Sequence, residues 1–400
     1  MKNILLINAE GVQTICLARS LRKQGHRVVG FCNHKMTSGY VTRWLSERYK
    51  APDITLQTEK FKTFLYEYLR KHQIDLIIPL ADDGADFLSR YKEEFEVQWN
   101  LKCAIPTFDT FNMANDKQKL MELCEKYGVS HPKTRKLPWN IREFQENLKE
   151  FKSLETTAEY VGFPAMIKPN LSQGAKGVMR VNNMQELIDK YPEVYRKFGA
   201  CTLQEYVEQP DYYYNVMLYR DKKGNMDNYT IIKIRRFFPI KGGSSCYCET
   251  VEYDYLLNQC RELLEKLNWI GFADFDVLED VYTHELKIIE INPRVPSSFQ
   301  AAFAAGVDYG KVFVADAFSE IVPTFDYKIG KQVRWLGLDV MWFLFSQNRF
   351  KFKPSWFRFF GKDVSYHDGA WNDPLPMIAG MFAGVVKYLD PEFRKSKLNG

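Results

Sequence analysis

Short apolar runs alternate with amphipathic stretches over the first hundred residues. Apolar runs bounded by glycine or polar residues are typical of buried strands, whereas apolar residues at every third and fourth position indicate helices. The predicted strands are Asn3–Asn8, His26–Phe31 and Ile74–Leu80, and the predicted helices are Val12–Gln24, Phe61–Lys71 and Asp86–Glu94. Strands that alternate with helices form parallel sheets, so we predict a doubly wound α/β domain over residues 1–108.

The pattern changes at about residue 109, where strand-like runs follow one another with short turns. Helices are predicted at Asn115–Tyr127, Ile141–Phe151 and Tyr253–Leu267. The strand-like runs are Ala165–Lys168, Gly177–Val181, Thr202–Tyr206, Tyr212–Tyr219, Tyr229–Phe238, Phe272–Leu278 and Leu286–Asn292. This arrangement is typical of an α+β domain with antiparallel sheets, which we place at residues 109–325. Residues 326–400 then form a C-terminal extension rich in aromatic and basic residues.

Composition narrows the class of protein. With 46% apolar and 15% aromatic residues among 400, the chain is expected to fold rather than to be disordered. Its longest apolar runs, Val340–Phe345 and Met377–Val386, are shorter than the ~20 residues that cross a bilayer, and its start lacks a secretory cleavage signal. Eight scattered cysteines indicate reduced thiols and a cytoplasmic protein. A net charge of +5 does not predict nucleic-acid binding.

Acidic residues interrupt the last two predicted strands. The alternation of side chains along a strand places Asp274 and Asp276 on one face, and Glu290 and Asn292 on one face of the next strand. Carboxylates among apolar strand positions are costly unless a cation neutralises them, and oxygen ligands suit Mg²⁺. Arg294 follows at once, placed to meet an anion. The alternative is that these acids line a solvated sheet face and pair with lysine or arginine.

Two further segments carry candidate binding residues for an anion. Lys168 lies within the apolar strand Ala165–Lys168, and the turn after it contains Gly174 and Gly177, which permit close approach of the backbone to a ligand. The turn lacks the Gly-Lys-Ser/Thr of a Walker A loop, and the turn at Asn8–Val12 lacks the dinucleotide-binding glycine pattern. A glycine hairpin that closes over phosphates is therefore the functional interpretation, and an ordinary turn is the alternative.

Two later segments give weaker indications of ligand binding. Backbone groups of Gln204–Val207 could bind an adenine edge, although an ordinary strand end explains them equally. Lys233 and Arg235 share one face of the strand Tyr229–Phe238, with Arg236 on the other. The small-residue segment Gly242–Ser245 is predicted as a loop. A basic strand before such a loop could hold a substrate carboxylate or a transferring phosphoryl group, and a solvated edge strand is the alternative.

The order of these segments resembles the ATP-grasp superfamily, and within it the carboxylate–amine ligases similar to D-aspartate ligase and the fold of carbamoyl-phosphate synthase and biotin carboxylase. Ile289–Arg294 is the most specific match, and Phe163–Pro169 and Gly271–Asp276 support it over about residues 1–325. The resemblance implies a parallel domain before a two-lobed ATP-grasp domain. It also implies an enzyme of the acid–amino-acid ligase type that uses ATP and Mg²⁺.

The resemblance assigns a role to each candidate residue. It implies that Lys117, Lys168 and the glycine hairpin contact the ATP phosphates, and that Gln204, Glu205 and Val207 lie at the adenine. Asp276, Glu290 and Asn292 would hold Mg²⁺, and Arg294 would stabilise the phosphoryl group. From the basic strand itself we expect Arg235 or Arg236 to receive the substrate carboxylate and the acylphosphate, and we favour Arg235 because it shares a face with Lys233. Relatives often have Glu at the position of Asp276, which leaves open whether Asp274 shares its task.

The implied reaction joins two small molecules. A carboxylate is activated as an acylphosphate, and an amine then displaces phosphate, with a cell-wall precursor as one candidate acceptor. Bicarbonate activation like that of carbamoyl-phosphate synthase, and a nucleotide-binding sensor or scaffold without turnover, are the alternatives. The extension allows peripheral membrane contact through its aromatic and basic residues, but an aromatic cap packed on the preceding domain is favoured. A homodimer is a further expectation.

Overall fold

The computed structural model describes residues 1–138, 148–172, 176–240, 243–370 and 372–389. Its first part is a five-stranded parallel sheet in the order β3-β2-β1-β4-β5. In chain order the elements are β1 (Asn3–Ile7), α1 (Gln13–Lys23), β2 (Arg27–Cys32), α2 (Ser38–Val41), β3 (Glu47–Lys50), α3 (Thr58–Lys71), β4 (Leu76–Pro79), α4 (Asp82–Arg90), α5 (Lys92–Gln98) and β5 (Lys102–Cys103). The order reverses direction between β1 and β4, which leaves a crevice at their carboxyl ends.

The continuous apolar run of β1 is explained by burial on both faces of this sheet. Ile4 and Leu6 pack into a core that also contains Leu17 of α1, whereas Leu5 and Ile7 pack into a second core on the opposite face. All four strand residues are fully buried. A strand covered on both sides has no polar face, so its sequence shows no alternation.

A smaller antiparallel sheet follows in the order β6-β9-β7-β8. Its elements are α6 (Phe108–Asn115), α7 (Lys117–Tyr127), β6 (Thr134–Lys136), α8 (Leu148–Val161), β7 (Ala165–Pro169), β8 (Met179–Val181), α9 (Met184–Phe198) and β9 (Cys201–Glu205). The helices α8 and α9 cover one face of this sheet and share an apolar core with it.

The largest sheet has seven strands in the order β14-β13-β10-β11-β12-β15-β16. Its elements are β10 (Tyr213–Arg220), β11 (Asn228–Phe238), β12 (Ser244–Thr250), α10 (Asp254–Lys266), β13 (Gly271–Glu279), β14 (Leu286–Asn292), α11 (Gln300–Ala304), α12 (Tyr309–Ala317), β15 (Gln332–Arg334), α13 (Leu336–Phe345), β16 (Val364–Tyr366) and α14 (Leu375–Leu389). A parallel sheet followed by antiparallel sheets confirms the predicted fold class.

Several local predictions differ from the structure. The single helix predicted at Asp86–Glu94 is two helices, because Tyr91 between them leaves the helical region with ψ near 10°. The segment Gly242–Ser245 was predicted as a loop, but β12 begins at Ser244, and Gly242 lies outside the described residues. Most of the predicted helix Ile141–Phe151 also lies outside them.

The C-terminal extension is part of the large sheet. Strand β15 pairs with β12, and β16 pairs with β15. Arg236 on β11 donates to Asp339 of α13 at 2.6 and 2.9 Å, and Arg334 on β15 donates to the same carboxylate at 2.5 and 2.8 Å. All three side chains are almost completely buried. Farther along, Ser38 of α2 donates to the Pro376 carbonyl at 2.9 Å, which ties α14 to the first sheet.

The chain shows no helix, within the part that the structure describes, that is long and apolar enough to cross a membrane. The eight cysteines are all buried and free, which agrees with the reduced thiols expected from the sequence. The predicted boundaries near residues 108 and 325 remain predictions. The two strands of the extension nevertheless continue the seven-stranded sheet, with β16 at its edge, rather than forming a separate layer.

Asp339→Asn should destabilise the protein by about 3–5 kcal/mol, because it leaves two buried guanidinium groups without a counter-charge. Urea unfolding would measure this loss. Asp363→Asn is the matched control, since Asp363 pairs with Lys331 at the surface and its loss should change stability little. Equal effects of the two substitutions would contradict a structural role for the buried group.

Candidate active site

Two carboxylates face each other across β13 and β14. The antiparallel register sets Asp276 opposite Glu290 and Asp274 opposite Asn292. Directly opposed residues have Cβ atoms about 4.5–5.5 Å apart, so the four side chains form one compact polar group on one face of the sheet. The alternation read from the sequence therefore placed these residues together correctly.

Asp276 is held between two amide side chains. Asn215 on β10 donates through Nδ2 to Oδ1 at 2.6 Å, and Asn292 donates through Nδ2 to Oδ2 at 3.2 Å. Burial and the charge of Glu290 raise the pKa of Asp276 to about 7. A carboxylate whose charge is disfavoured by both burial and a like charge is stabilised by a bound cation. Asn215 had not been singled out in the sequence.

Asp274 lies deeper in the sheet. It is only 2% exposed, and its Oδ1 has no hydrogen-bond partner among the described residues. Burial, together with the charge of Asp276, raises the pKa of Asp274 well above its ordinary value. The charged form of Asp274 is therefore disfavoured beside the Asp276–Glu290 pair.

The donor atoms of this group fit Mg²⁺. The oxygens of Asp276, Glu290 and Asn292 form a purely oxygen set, as hard divalent cations prefer. Within the described ranges no group of three or more His, Cys, Asp or Glu side chains could hold a metal ion. Two carboxylates and an amide are sufficient for Mg²⁺, since it commonly keeps phosphate and water oxygens as its other ligands.

Two lysines lie near the carboxylates, one at the start of α7 and the other on β7 of the smaller sheet. Asp116 caps α7 by accepting from the backbone N–H of Gln118 and Lys119, which fixes Lys117 in the first turn. Lys117 Nζ donates to the Ser172 carbonyl at 3.0 Å and lies 4.0 Å from Glu290 Oε1. A buried ammonium group between a carboxylate and the glycine hairpin is suited to bind an anion.

Lys168 is the second cation. Its Nζ donates to Gln204 Oε1 at 2.5 Å, and Gln204 in turn donates to Thr134 Oγ1 at 3.0 Å. Burial and the neighbouring Lys117 lower the pKa of Lys168 to about 8. No carboxylate lies within ion-pair distance of Lys168 among the described residues, so its charge is available for a ligand.

The predicted adenine segment has several contacts of its own. The side chain of Gln204 is buried and orients Lys168, while Glu205 Oε1 accepts from Lys287 at 3.0 Å. Val207 is buried as well. These contacts occupy the side chains of Gln204 and Glu205, so a role at adenine would use backbone groups and remains a prediction.

β7 and β8, which flank the predicted glycine hairpin, pair antiparallel. Gly174 lies outside the described residues. Gly177 has φ +75°, and a Cβ there would lie 2.6 Å from the ring of Phe198 and 2.9 Å from Pro169. Packing and backbone conformation therefore suffice to require glycine at 177, and its contact with a ligand remains a proposal.

Arg294 joins this group to the first domain. Its Nε donates to Asp82 Oδ1 at 2.7 Å, and its Nη2 donates to Asn292 Oδ1 at 3.3 Å. Burial alone would lower the pKa of Arg294, but the carboxylates of Asp82 and Asp274 raise it. The sequence analysis missed Asp82. Asp82 comes directly after a strand of a parallel sheet, where ligands commonly bind, and this position could have indicated its role.

Two more carboxylates lie at the same edge of the first sheet. Glu10 follows β1 and accepts the backbone N–H of Asn33, and Asp83 accepts from Asn8 Nδ2 at 3.3 Å. Burial raises the pKa of Glu10 to about 7 and also raises the pKa of Asp83. With Asp82, which pairs with Arg294, they form an acidic wall at the carboxyl ends of β1 and β4.

The two arginines of β11 do not join this group, which corrects the prediction. Arg235 donates to Glu249 Oε1 at 2.5 Å, and Glu249 is in register with Lys233. Lys233 pairs with Tyr214 on β10, and Tyr214 pairs with Val277 on β13. Asp276 pairs with Asn215, the next residue of β10 and therefore on the other face. Lys233 and Arg235 therefore share a face, as predicted, but it is the face opposite the carboxylates.

Arg236 lies outside the site for a different reason, because its side chain binds another carboxylate. Its guanidinium is committed to the buried carboxylate of Asp339 and lies 4.1 Å from the centre of the Tyr247 ring. A buried arginine with such partners has no charge to offer a substrate. Neither β11 arginine is retained as a catalytic candidate, and Arg294 is the arginine at the carboxylates.

Comparison with known proteins identifies the family. The family model of the carbamoyl-phosphate synthase L chain ATP-binding domain matches residues 116–315, which is half of the chain. The chain belongs to this ATP-grasp family. The match confirms the predicted resemblance and the expectation that this ATP-grasp protein binds ATP. The matched residues include Lys117 on α7, Lys168 on β7, Asp276 on β13 and Glu290 on β14.

Solved ATP-grasp structures share the fold beyond this region. Biotin carboxylase from Campylobacter jejuni is 14% identical, with a TM-score of 0.67 over 83% of this chain and 74% of that chain. N5-carboxyaminoimidazole ribonucleotide synthetase from Thermotoga maritima is 16% identical, with a TM-score of 0.58 over 82% and 78%. Phosphoribosylglycinamide synthetase from Anaerococcus prevotii is 16% identical, with a TM-score of 0.59 over 83% and 79%. At these identities the likeness concerns the fold.

Glu290→Gln should abolish nearly all ADP formation while thermal melting stays close to that of the wild type. The amide keeps the shape of the side chain but removes the charge that faces Asp276. Glu285→Gln is the matched control, since Glu285 is exposed in the turn between the same two strands. Full turnover in the Glu290 variant would contradict the metal assignment.

Lys168 should make nucleotide affinity depend on pH. Phosphate binding stabilises the charged ammonium group and raises its pKa, so affinity for MgADP should fall as the pH rises above about 8, by at most about tenfold per pH unit. Calorimetric titration over a pH series would measure this. Lys168→Arg should flatten the dependence because arginine stays charged, whereas the exposed control Lys197→Arg should retain it. A wild-type affinity independent of pH would contradict the anchor role.

Proposed function

We propose that the protein is an ATP-dependent carboxylate–amine ligase that releases ADP and phosphate. The observation that carries the proposal is the convergence of the Asp276–Glu290 pair with Lys117, Lys168 and Arg294 at one edge of the first sheet. Membership of the ATP-grasp family supports the use of ATP. The charges suit a triphosphate, since three cations surround a pair of carboxylates that itself favours a divalent ion.

The first step transfers a phosphoryl group. An oxygen of the substrate carboxylate forms a bond to the γ-phosphorus, the bond from that phosphorus to the bridging oxygen of ADP breaks, and an acylphosphate results. Lys117 and Lys168 hold the phosphates, and Arg294 neutralises charge that develops on the transferred group. Mg²⁺, when bound by Asp276, Glu290 and Asn292, supplies further positive charge. The protein therefore acts by positioning and by electrostatic stabilisation.

The second step joins the amine. The lone pair of the neutral amine forms a bond to the acyl carbon, the carbon–oxygen bond breaks with its electron pair leaving on phosphate, and the proton lost from nitrogen passes to the released phosphate. Glu10, Asp82 and Asp83 lie at the carboxyl ends of β1 and β4, and Asp82 pairs with Arg294. Acidic groups at this position attract a protonated amine, which supports an amine as the second substrate. The nature of the acceptor, including a cell-wall precursor, and a homodimer both stay predictions.

A substrate screen tests this proposal. Purified protein with MgATP is offered amino acids singly and in pairs, and bicarbonate with ammonia, while ADP release and product mass are measured. The ligase proposal expects ADP release that requires a carboxylate and a product that contains an amide bond. ADP release with bicarbonate alone would instead favour the carbamoyl-phosphate synthase alternative. ADP binding without turnover for every pair would favour a sensor or scaffold, and Glu290→Gln reports background hydrolysis.

Asp83→Asn should raise the KM of the amine substrate by about tenfold or more, because a charge-assisted hydrogen bond to an ammonium group is lost. The affinity for ATP should stay constant. Asp86→Asn is the matched control on the same helix, since Asp86 pairs only with Arg90 at the surface. Steady-state kinetics with each substrate varied in turn measures both quantities. An unchanged KM for the amine would show that this wall does not bind it.

A further inference from the structure

The C-terminal extension has one buried part and one exposed part. Asp339 and Trp342 are buried against the large sheet and account for the cap predicted from the sequence. The exposed part is the segment 344–362 between α13 and β16, together with one side of α14. We call it the aromatic–basic surface. Its most exposed apolar residues, with exposed fractions of 48–79%, are Leu344, Phe350, Phe357, Phe360, Leu375, Ile378, Met381 and Phe382.

The exposed rings are held in place by one another. Phe350 packs edge-on against Phe343 with ring centres 5.5 Å apart, and Phe357 packs against Phe343 at 5.7 Å and against Trp356 at 5.4 Å. Trp356 Nε1 donates to the Asp339 carbonyl at 3.0 Å, which anchors the cluster on α13. Phe350 and Phe357 nevertheless remain 72% and 58% exposed. Exposed aromatic side chains fixed in this way are typical of a surface that binds a partner or a membrane.

All charged residues of this segment are basic. Between Val340 and Lys362 there are five basic residues and no acidic residue. The basic residues are Arg349, Lys351, Lys353, Arg358 and Lys362. All except Arg349 are exposed, and the Arg349 guanidinium lies 5.5 Å from the centre of the Phe350 ring. Aromatic and basic groups therefore alternate on one surface, so a fitting partner is both anionic and able to accept apolar side chains.

The helix α14 adds an aliphatic part to this surface. Leu375, Ile378, Met381 and Phe382 are spaced by three or four residues, which places them on one side of the helix. α14 packs against α13, so the two exposed sets belong to neighbouring elements. An amphipathic helix beside basic and aromatic side chains is the usual composition of a segment that lies in the interface of a bilayer.

We propose that the aromatic–basic surface docks on an anionic lipid bilayer and holds the protein at the membrane surface. Phe350, Phe357 and Phe360 insert between lipid headgroups, and the basic side chains bind the anionic headgroups. The charge pattern favours a bilayer over a second copy of the chain. A symmetric dimer through this surface would bring five basic residues of each chain together without any acid to neutralise them.

Vesicle flotation with the full-length protein tests the proposal. The protein is mixed with vesicles of equimolar phosphatidylcholine and phosphatidylglycerol, or of phosphatidylcholine alone. The proposal expects binding to the anionic vesicles that weakens with added salt, and at least tenfold weaker binding to the neutral ones. Equal binding to both vesicles, or no binding to either, would overturn it.

Two sets of substitutions separate the charged and apolar parts. Combined Lys351→Gln, Lys353→Gln and Lys362→Gln should weaken binding to anionic vesicles by about a hundredfold, at about fivefold for each charge. Combined Phe350→Ser, Phe357→Ser and Phe360→Ser should abolish it. The matched control combines Leu56→Ser, Val97→Ser and Ile321→Ser, three apolar residues outside the surface that are 76–90% exposed, and should bind as the wild type does.

Two further measurements decide between occupants. Thermal melting of each variant confirms that it is folded, so that lost binding reflects the surface. Light scattering reports the oligomeric state without vesicles. A wild type that is dimeric and becomes monomeric only with the three phenylalanine substitutions, without binding vesicles, would overturn the proposal in favour of self-association. Vesicle binding that the phenylalanine variant retains would also overturn it.

Discussion

The mutual repulsion of two half-buried carboxylates is the constraint on which the arrangement of this site depends. Asp276 and Glu290 face each other because β13 and β14 pair in a fixed register, and the neighbouring strand β10 contributes an amide rather than a cation to Asp276. The protein tolerates this arrangement because Arg294 and Lys117 lie close by, yet neither forms a short ion pair with the two carboxylates. The remaining charge is what a divalent cation with phosphates would balance.

The same molecule contains a second buried group of charges with the opposite property. Arg236, Arg334 and Asp339 satisfy one another with four hydrogen bonds of 2.5–2.9 Å. They leave little capacity to bind a ligand, and they fix the C-terminal extension to the edge of the sheet. The two buried groups show how structural charges can be distinguished from functional charges in this protein. A buried charge with a complete set of protein partners holds the fold together, whereas Lys168, whose bonded partner is a neutral amide, remains available for an anion.

Strand alternation was a reliable guide to the carboxylates and an incomplete guide to the arginines. The period of two placed Asp274 with Asp276, and Glu290 with Asn292, without knowledge of which strands are neighbours. It also placed Arg235 with Lys233 correctly. It could not say which face of β11 looks toward the carboxylates, because that depends on the register of β11 with β10 and of β10 with β13. The register also has irregularities on either side of Arg236, and a local pattern does not reveal them.

The sequence by itself determined the alternation of helices and strands, the acidic faces of the last strand pair, the cation within β7 and the resemblance to ATP-grasp proteins. These features are local, because they follow from the order of apolar and polar residues within about ten positions. Only the tertiary structure decided three contacts of the charged groups. Arg294 donates to Asp82, and Lys168 donates to Gln204. Arg236 donates to Asp339 and so does not reach the carboxylates. Each of these contacts joins residues between 36 and 212 positions apart, and the pairing and packing of elements that are distant in the sequence, rather than any local preference, bring them together.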